Sequence, residues 1–312
     1  MLKNVRFRLI DCISMAFVCF NIAYVALMHK QISQPALLLR AYLVGLIFMV
    51  AIIIFGDPER YEVPGSRLGK AVRWVLGFAR ETYALALFPF FFEAVTRFDT
   101  ALLGRNLDPY FAAMDTFLFG FVPSATLMFD YPIFLLSELL HGAYVMYYVS
   151  IPGLALWLYI KNRRALPEYI AVTMFIFYIA CLTYVVLPVV GGRFDPAVRA
   201  MTETYKYGPF TRIMTFIYRA SAHEGGAFPS THAIVSLVIA LFSRRTTKPL
   251  AVLLGINTVL VFAATIYCGY HYVVDLIAAL VYVAVFYPLG RRLYASFRIE
   301  PDTVGFSDID AA

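Results

Sequence analysis

Two short polar segments interrupt an otherwise apolar sequence, and each of them carries a histidine. The first is residues 225–232 (GGAFPSTH), and the second is residues 270–275 (YHYVVD). Histidine and aspartate are costly at membrane depth, so two such segments in so apolar a chain point to chemistry. On a helix His271 and Asp275 share one face, which lets the carboxylate hold one imidazole nitrogen and leave the other bare. A histidine held in this way can act as a nucleophile.

The composition predicts a polytopic helical membrane protein. Of the 312 residues, 61% are hydrophobic and 15% are charged, whereas about a quarter of the residues of a soluble domain are charged. The mean hydropathy is +0.74. The formal charge of +6 is spread over short loops without a basic block, which argues against a nucleic-acid partner. The four cysteines lack a metal-type spacing and are interpreted as small buried hydrophobes.

Apolar runs long enough to cross a hydrocarbon core of about 30 Å recur along the chain. We predict eight membrane spans, at residues 11–28, 36–55, 73–95, 133–159, 168–190, 228–242, 249–268 and 271–289. The segment 108–121 is amphipathic and too short to cross, so we expect it to lie in the membrane interface.

The distribution of Lys and Arg predicts the orientation of these spans. Sixteen of the 26 basic residues fall on one set of alternate span ends and eight on the other, while Arg40 and Arg80 lie within spans. By the positive-inside rule, both termini are cytoplasmic. His232 and His271 then reach the same extracytoplasmic interface. Five of the eight outside basic residues lie in the loop 191–227, which favours a bound anion of phosphate size.

With these motifs, the chain resembles the type-2 phosphatidic acid phosphatase superfamily, which includes lipid phosphate phosphatases, glucose-6-phosphatase, bacterial acid phosphatases and vanadium haloperoxidases. The resemblance covers residues 184–290 and rests on GAFPSTH at 226–232, YHYVVDLI at 270–277 and the apolar helical return between them. Within the superfamily, the chain resembles the branch that contains fungal inositol phosphorylceramide synthase and many bacterial membrane lipid phosphatases.

This resemblance implies an all-α integral membrane protein with a phosphatase bundle of the six-helix type. Residues 71–290 would form the catalytic bundle, residues 1–70 a two-helix N-terminal addition, and residues 291–312 a cytoplasmic tail. The resemblance also implies that no metal and no cofactor is needed, because two histidines and a cationic cradle supply acid–base catalysis and charge stabilisation.

The resemblance assigns the catalytic roles to three residues of the motifs. His271 is the nucleophile that takes the phosphoryl group as a phosphohistidine, and Asp275 fixes its tautomer. His232 is the general acid on the leaving oxygen and then the general base on the incoming water or alcohol. The alternative for His271 and Asp275 is a buried pair that joins two helices, and for His232 it is a capping residue.

The phosphate-binding residues that the resemblance implies are Arg193, Ser230 and Gly226, together with backbone N–H groups at the start of the sixth span. The alternative for Ser230 is a helix cap, and for Arg193 an interface anchor. Two positions depart from the pattern of the superfamily. Val186 stands where the first motif has a lysine, and Thr265 where the third motif has an arginine. These departures favour the phosphotransferase branch, whose members also lack the arginine of the third motif.

Three further residues are candidates for the substrate site. Glu138 and His141, three residues apart, could bind a metal or position an acceptor, or they could be satisfied polar groups that line the same cavity. Arg219, with Arg212 and Lys206, could replace the missing cations.

The predicted function is that of a membrane-embedded lipid phosphatase or phosphotransferase that acts at the outer leaflet. The substrate would be a lipid phosphate or phospholipid, and the acceptor would be water or a lipid alcohol. One alternative is a phospholipid head-group transferase of the inositol phosphorylceramide synthase type. An alternative of another class is a non-catalytic membrane transporter or scaffold, favoured by the two missing cations and the two extra spans.

Overall fold

The computed structural model describes residues 7–57, 66–192, 198, 208–220 and 224–297. All regular structure in these ranges is helical, which confirms the predicted all-α fold. In chain order, the helices of these ranges are α1 (Leu9–Leu27), α2 (Pro35–Phe55), α3 (Arg67–Ala86), α4 (Phe88–Thr96), α5 (Asp108–Phe119), α6 (Pro123–Asp130), α7 (Phe134–Lys161), α8 (Leu166–Val186), α9 (Pro209–Ala220), α10 (Thr231–Ser243), α11 (Lys248–Tyr267) and α12 (Val273–Phe297).

Within the described part of the chain, seven helical segments are long and apolar enough to cross a membrane. They are α1, α2, α3 with α4, α7, α8, α11 and α12. The predicted third span, 73–95, contains a break at Leu87, after which Pro89 lies in the first turn of α4. Proline has no backbone N–H to donate, so it suits the first turn of a helix and not the interior. The chain is a multi-pass integral membrane protein.

The predicted sixth span is shorter than the sequence suggests. Helix α10 has 13 residues and begins at Thr231, whereas the apolar run begins at residue 228. At 1.5 Å per residue, it spans roughly 20 Å of a hydrocarbon core of about 30 Å. Residues 224–230 form a loop in front of it instead of a further helical turn, because Gly225 and Gly226 adopt positive φ angles and Pro229 follows.

Helix α8 lies at the centre of the bundle. It packs against α1, α3, α4, α7, α10 and α12, and most of its length is buried. Its fully buried side chains include Tyr169, Phe177 and Tyr184. Helices α10 and α12, which follow the two histidine motifs, pack against each other and against α8. Both helices that follow the motifs are therefore anchored on α8, the most buried of the membrane-spanning helices.

The first N-terminal helix, α1, is joined to the rest of the bundle by buried polar contacts. Arg80 of α3 donates to both oxygens of Asp11 of α1, at 2.9 and 2.6 Å, and both side chains are nearly inaccessible. The Tyr83 hydroxyl donates to the same carboxylate at 2.7 Å. Ser14 and Tyr178 share a hydrogen bond of 2.8 Å between α1 and α8. The boundary near residue 70 between an addition and a catalytic bundle stays a prediction.

Helices α5 and α6 form a bent pair, with an angle of 63° between their axes. Gly120 ends α5 with a φ of 80°, a conformation that favours glycine. Helix α5 buries Phe111 and Asp115, whereas Tyr110, Phe117 and Leu118 are exposed. Together the two helices are long and apolar enough to cross a membrane as one bent span or to enter it as a re-entrant loop, so the interfacial position of 108–121 stays a prediction.

Candidate active site

The two histidine motifs meet at one end of α10 and α12. His232 lies in the first turn of α10, and His271 lies two residues before α12. The carbonyl of Thr265, near the end of α11, accepts from the backbone N–H groups of both Tyr270 and His271 at 2.9 Å. The backbone N–H of Ser230 donates to the carbonyl of Asp275 at 3.3 Å. The loop before α10 is thus tied to the first turn of α12, and the loop before α12 is tied to α11.

The His271 ring is oriented by Asp275. Its Nδ1 lies 3.2 Å from Asp275 Oδ2, which also accepts the backbone N–H of Tyr272 at 3.0 Å. Asp275 is fully buried and His271 is 4% exposed. A buried carboxylate requires partners, and the imidazole Nδ1–H is the partner that also fixes the tautomer. This arrangement leaves the lone pair of His271 Nε2 available.

His232 faces the available nitrogen of His271. The distance from His271 Nε2 to His232 Nδ1 is 3.4 Å, and the hydroxyl of Tyr148 lies 3.3 Å from His232 Nε2. The rings of Tyr144 and Tyr147 flank His232, with centroids 4.7 and 5.0 Å away. The Nε2 atom of His271 therefore faces a second imidazole that can give and take a proton.

The predicted phosphate-binding residues are placed differently from one another. Ser230 is buried, and its hydroxyl accepts from the backbone N–H of Ala233 at 3.4 Å, so it caps α10. Gly226 has a φ of 73°, and a Cβ there would lie 2.9 Å from the Thr96 side chain, so this glycine packs closely against α4. Arg193 lies outside the described residues. The structure thus brings Ser230 next to the histidines and assigns it a capping contact.

Neither of the two positions that depart from the superfamily pattern supplies a cation. Val186 is the last residue of α8 and is 56% exposed. Thr265 is buried, and its hydroxyl donates to the carbonyl of Phe262 at 2.8 Å. Thr265 contributes its backbone carbonyl to the loop that carries His271, a role that does not depend on the side-chain charge.

Glu138 and His141 of α7 both have hydrogen-bond partners, Glu138 on α9 and His141 on α7 itself. The Glu138 carboxylate accepts from the backbone N–H groups of Phe210 and Thr211 at 2.9 and 3.1 Å and from the Thr211 hydroxyl, so it caps α9 from outside. The Nδ1 of the buried His141 is 2.7 Å from the carbonyl of Ser137. These contacts match the interpretation of satisfied polar groups more closely than that of a metal pair.

Arg219 lies on the outward side of α9. Together with Arg212, Thr215 and Phe216, it lines a surface groove. The opposite side of α9 packs through Met214 onto the cluster that contains Tyr144 and Tyr270. Arg219 is therefore connected to the wall of the histidine site through its helix and does not contact the histidines.

Several residues at the site were not predicted from the sequence. Tyr148 contacts His232, and Tyr184 donates to the carbonyl of Pro229 and to the hydroxyl of Thr231. Tyrosines are abundant in this chain, with 22 in total, so nothing in the sequence singled out these two.

Asp108 and Asp115 of α5 also lie at the site and were not predicted, and they accept backbone N–H groups next to the motifs. The signal that could have found them is two aspartates seven residues apart on an amphipathic helix. In the described ranges, no three His, Cys, Asp or Glu side chains are grouped to hold a metal.

Comparison with known proteins identifies the family. A family model described as the PAP2 superfamily matches residues 110–289, which is more than half of the chain, so the chain belongs to the PAP2 superfamily. The resemblance read from the sequence is confirmed at this level, while the branch within the superfamily stays a prediction. The membership supports a phosphatase-type, phosphoester-cleaving enzyme. Neither the comparison with curated proteins nor that with solved structures finds a match.

Proposed function

We propose that this member of the PAP2 superfamily cleaves a lipid phosphoester through a phosphohistidine on His271 and passes the phosphoryl group to water or to a lipid alcohol. The observation that carries the proposal is the hydrogen-bonded series from Asp275 through His271 to His232. If Nδ1 of His271 donates to Asp275, Nε2 carries the lone pair and faces the second imidazole. These are the requirements of a nucleophile and of a general acid.

In the first step, the lone pair of His271 Nε2 attacks phosphorus and the P–O bond to the leaving group breaks. The leaving oxygen takes a proton from His232. The positive charge that develops on the His271 ring is stabilised by Asp275 through Nδ1–H. A phosphoryl group does not fit between nitrogens 3.4 Å apart, so one ring moves when substrate binds. His271 is buried and bonded to Asp275, whereas His232 is half-buried, so we assign the movement to His232.

In the second step, the acceptor oxygen loses its proton to His232 and attacks phosphorus, and the P–N bond to His271 breaks. The negative charge on the phosphoryl oxygens needs donors throughout. Backbone N–H groups in the first turn of α10 supply part of this stabilisation, because the N-terminus of a helix favours anions. Arg193 completes the cradle in this proposal.

The acceptor distinguishes a phosphatase from a transferase. Three tyrosines, Tyr144, Tyr147 and Tyr148, surround His232. Such an aromatic surround limits water near the phosphohistidine, and water exclusion favours transfer to an alcohol over hydrolysis. This observation supports a second candidate function, a phospholipid head-group transferase of the inositol phosphorylceramide synthase type.

The groove on α9 supports an anionic lipid as substrate. Arg212 and Arg219 are seven residues apart and lie nearly in line along the helix, with the exposed Phe216 between them. The two arginines would attract the anionic head group to this surface, beside apolar positions for the acyl chains, before the phosphoester reaches the histidines. In this proposal, the site opens to the extracytoplasmic face, both termini are cytoplasmic, and the substrate enters from the outer leaflet.

The experiment that tests the function compares wild-type protein with His271→Ala, and His29→Ala is the exposed-histidine control. Each protein is purified in detergent and assayed with a panel of labelled lipid phosphates. Phosphate is followed both as the free ion and as phosphorylated lipid alcohol. Free phosphate that depends on His271 supports the phosphatase, and phosphate on added lipid alcohol supports the transferase. Equal activity in wild type and His271→Ala would refute the phosphohistidine route.

Orthovanadate separates both enzyme functions from a non-catalytic scaffold. It adopts the trigonal-bipyramidal geometry of a phosphoryl group in transfer, so an enzyme of this type binds it through His271. We expect binding to wild type and to His29→Ala and loss of binding to His271→Ala. Binding that is the same in all three proteins, or absent from wild type, would favour the scaffold.

A further inference from the structure

One face of α5 carries three residues that contact the loops around the histidines. Asp108, Phe111 and Asp115 are spaced by three and four residues, which places their side chains on the same side of the helix. Phe111 and Asp115 are the two buried residues of α5, and Asp108 is half-buried. The opposite face is exposed. The functional roles proposed above use none of these three residues.

Asp108 holds the loop that follows α8. Its Oδ2 accepts the backbone N–H of Val190 at 2.9 Å, and its Oδ1 accepts that of Gly191 at 2.8 Å. The same Oδ1 lies 3.2 Å from the hydroxyl of Tyr272, the residue after His271. One carboxylate therefore links the segment that leads toward Arg193 to the segment that carries the proposed nucleophile.

Asp115 holds the start of α12. Its Oδ2 accepts the backbone N–H of Val273 at 2.9 Å, and its Oδ1 accepts that of Val274 at 3.2 Å. The first N–H groups of a helix have no partner within the helix and must be satisfied from outside. Here the cap comes from a residue 158 positions earlier in the chain. It fixes the direction of the helix that presents His271 and Asp275.

Phe111 fills the space between the two carboxylates. Its ring packs edge-on against Phe228 with centroids 4.7 Å apart, and it lies 6.4 Å from the ring of Tyr272. It belongs to a small apolar cluster with Val189 and Ala227. Helix α5 thus contacts the loop after α8, the loop before α10 and the loop before α12.

The segment just before α5 adds contacts of the same kind. The carboxylate of Asp99 interacts with the backbone N–H of Gly226, and a Cβ on Gly225 would overlap this carboxylate. The backbone N–H of Leu107 donates to the carbonyl of Pro188 at 2.8 Å. Residues 99–115 therefore meet each of the three motif loops through at least one polar contact.

We propose that α5 is the positioning element of the active site, and that Asp108 and Asp115 are the positioning residues that set His271 against His232. A carboxylate that accepts two consecutive backbone N–H groups fixes both the place and the direction of that backbone, because charge-assisted hydrogen bonds are short and directional. The catalytic part of this inference rests on the proposed function, whereas the geometric part does not.

The test uses Asp115→Asn and Asp108→Asn in the full-length protein, with Asp130→Asn as the matched control. Asp130 is an exposed aspartate at the end of α6. Histidine labelled with ¹⁵N reports on the ring nitrogens directly, and only five histidines contribute signals. We expect the His271 and His232 signals, assigned by His→Ala variants, to shift in both α5 variants. The His29 signal should stay in place, and Asp130→Asn should shift none of the three.

The kinetic arm measures kcat and KM for a lipid phosphate. Displacement of a reacting group by about 1 Å can cost about 100-fold in rate, so we expect kcat to fall on this scale in Asp115→Asn while KM changes little. Histidine signals that stay at wild-type positions in folded Asp115→Asn and Asp108→Asn would overturn the inference. If wild type has no activity, the proposed function fails, while the NMR arm still tests the positioning.

A milder variant covers the case in which Asp108→Asn or Asp115→Asn does not fold. Tyr272→Phe removes only the hydroxyl that bonds to Asp108 Oδ1. We expect the His271 signals to shift from their wild-type positions in this variant. An unshifted spectrum from folded Tyr272→Phe would contradict the link between α5 and the His271 loop.

Discussion

Around the start of α8, carboxylates pair with arginine side chains, whereas next to the histidines the carboxylates of α5 and Asp275 accept backbone N–H groups. Glu168, in the first turn of α8, pairs with Arg245 and Arg291 at 2.7 Å each, and Glu81 pairs with Arg163 at 2.9 Å. These arginines are partly exposed. In the histidine region, the carboxylates of α5 and Asp275 accept the N–H groups of loops. Carboxylates thus bind side chains in one region and backbone in the other.

The difference concerns what each contact fixes. An exposed pair of long side chains tolerates small movements and contributes about 0–1 kcal/mol. A buried carboxylate on consecutive N–H groups permits one backbone path only, and its loss leaves buried donors unpaired. The arginine region therefore ties helices together, while the histidine region sets the geometry of a site. The following predictions test this contrast, from the largest expected effect to the smallest.

The largest effect is expected for Asp275→Asn. An amide at this position can donate to Nδ1 of His271, which moves the ring proton to Nε2 and removes the lone pair that attacks phosphorus. A carboxylate-to-amide change beside a catalytic histidine costs about 10⁴-fold in kcat. We expect a loss of this size for lipid phosphates, with Asp130→Asn at wild-type rates. A loss below tenfold in the folded variant would show that Asp275 does not set the tautomer.

His232→Gln should separate substrates by their leaving group. Loss of the general acid should cost about 10³-fold for an alkyl phosphate ester, whose leaving oxygen needs a proton. Nitrophenyl phosphate leaves without protonation and should be impaired much less. Asp275→Asn, in contrast, should impair both substrates, because it acts on the nucleophile. Equal losses for the two substrates in His232→Gln would contradict the role of general acid.

The buried pair at α1 is the exception among the arginine pairs, because it lies out of water. Asp11→Ala leaves the guanidinium of Arg80 buried without its carboxylate, which should cost about 3–5 kcal/mol of unfolding free energy. Chemical denaturation in detergent measures this loss. The control is Glu93→Gln, which breaks the exposed pair with Arg97 and should cost under about 1 kcal/mol. Equal losses of unfolding free energy in the two variants would show that burial does not make the Asp11–Arg80 pair more important for stability than the Glu93–Arg97 pair.

The smallest effect is expected for Glu168→Gln. This variant removes the carboxylate that Arg245 and Arg291 share, which should cost about 1 kcal/mol or less of stability. The cost should shrink as salt is raised, because partly exposed charges are screened. We expect kcat and KM to stay at wild-type values. A marked fall in kcat would show that the arginine region also controls the geometry of the site.

The sequence was sufficient for the features that depend on local spacing. His271 and Asp275 are four residues apart, and the structure places them in contact. The all-α fold and most of the spans follow from apolar runs of sufficient length. The shorter α10 was not foreseen, because an apolar run does not show where a loop with Gly225 and Gly226 replaces helix.

Contacts between distant segments could not be predicted from a single sequence. The partners of Asp108 and Asp115 lie 82 and 158 residues further along the chain. Almost every residue has a backbone N–H group, so the sequence does not show which of these groups a given carboxylate will bind. Glu138 shows the same difficulty, because its spacing to His141 suggested a pair on α7 while its real partners are N–H groups of α9.

The central claim is that His271 carries the phosphoryl group. The most direct measurement mixes the protein with ³²P-labelled lipid phosphate, quenches in alkali and follows label that stays on the protein. We predict an alkali-stable, acid-labile label on wild-type protein that maps to His271 and is absent from His271→Ala. In His232→Gln the label should form more slowly, for want of the acid, and once formed should persist longer, for want of the base of the second step. Label that is found on another residue, or that remains in His271→Ala, would contradict the account.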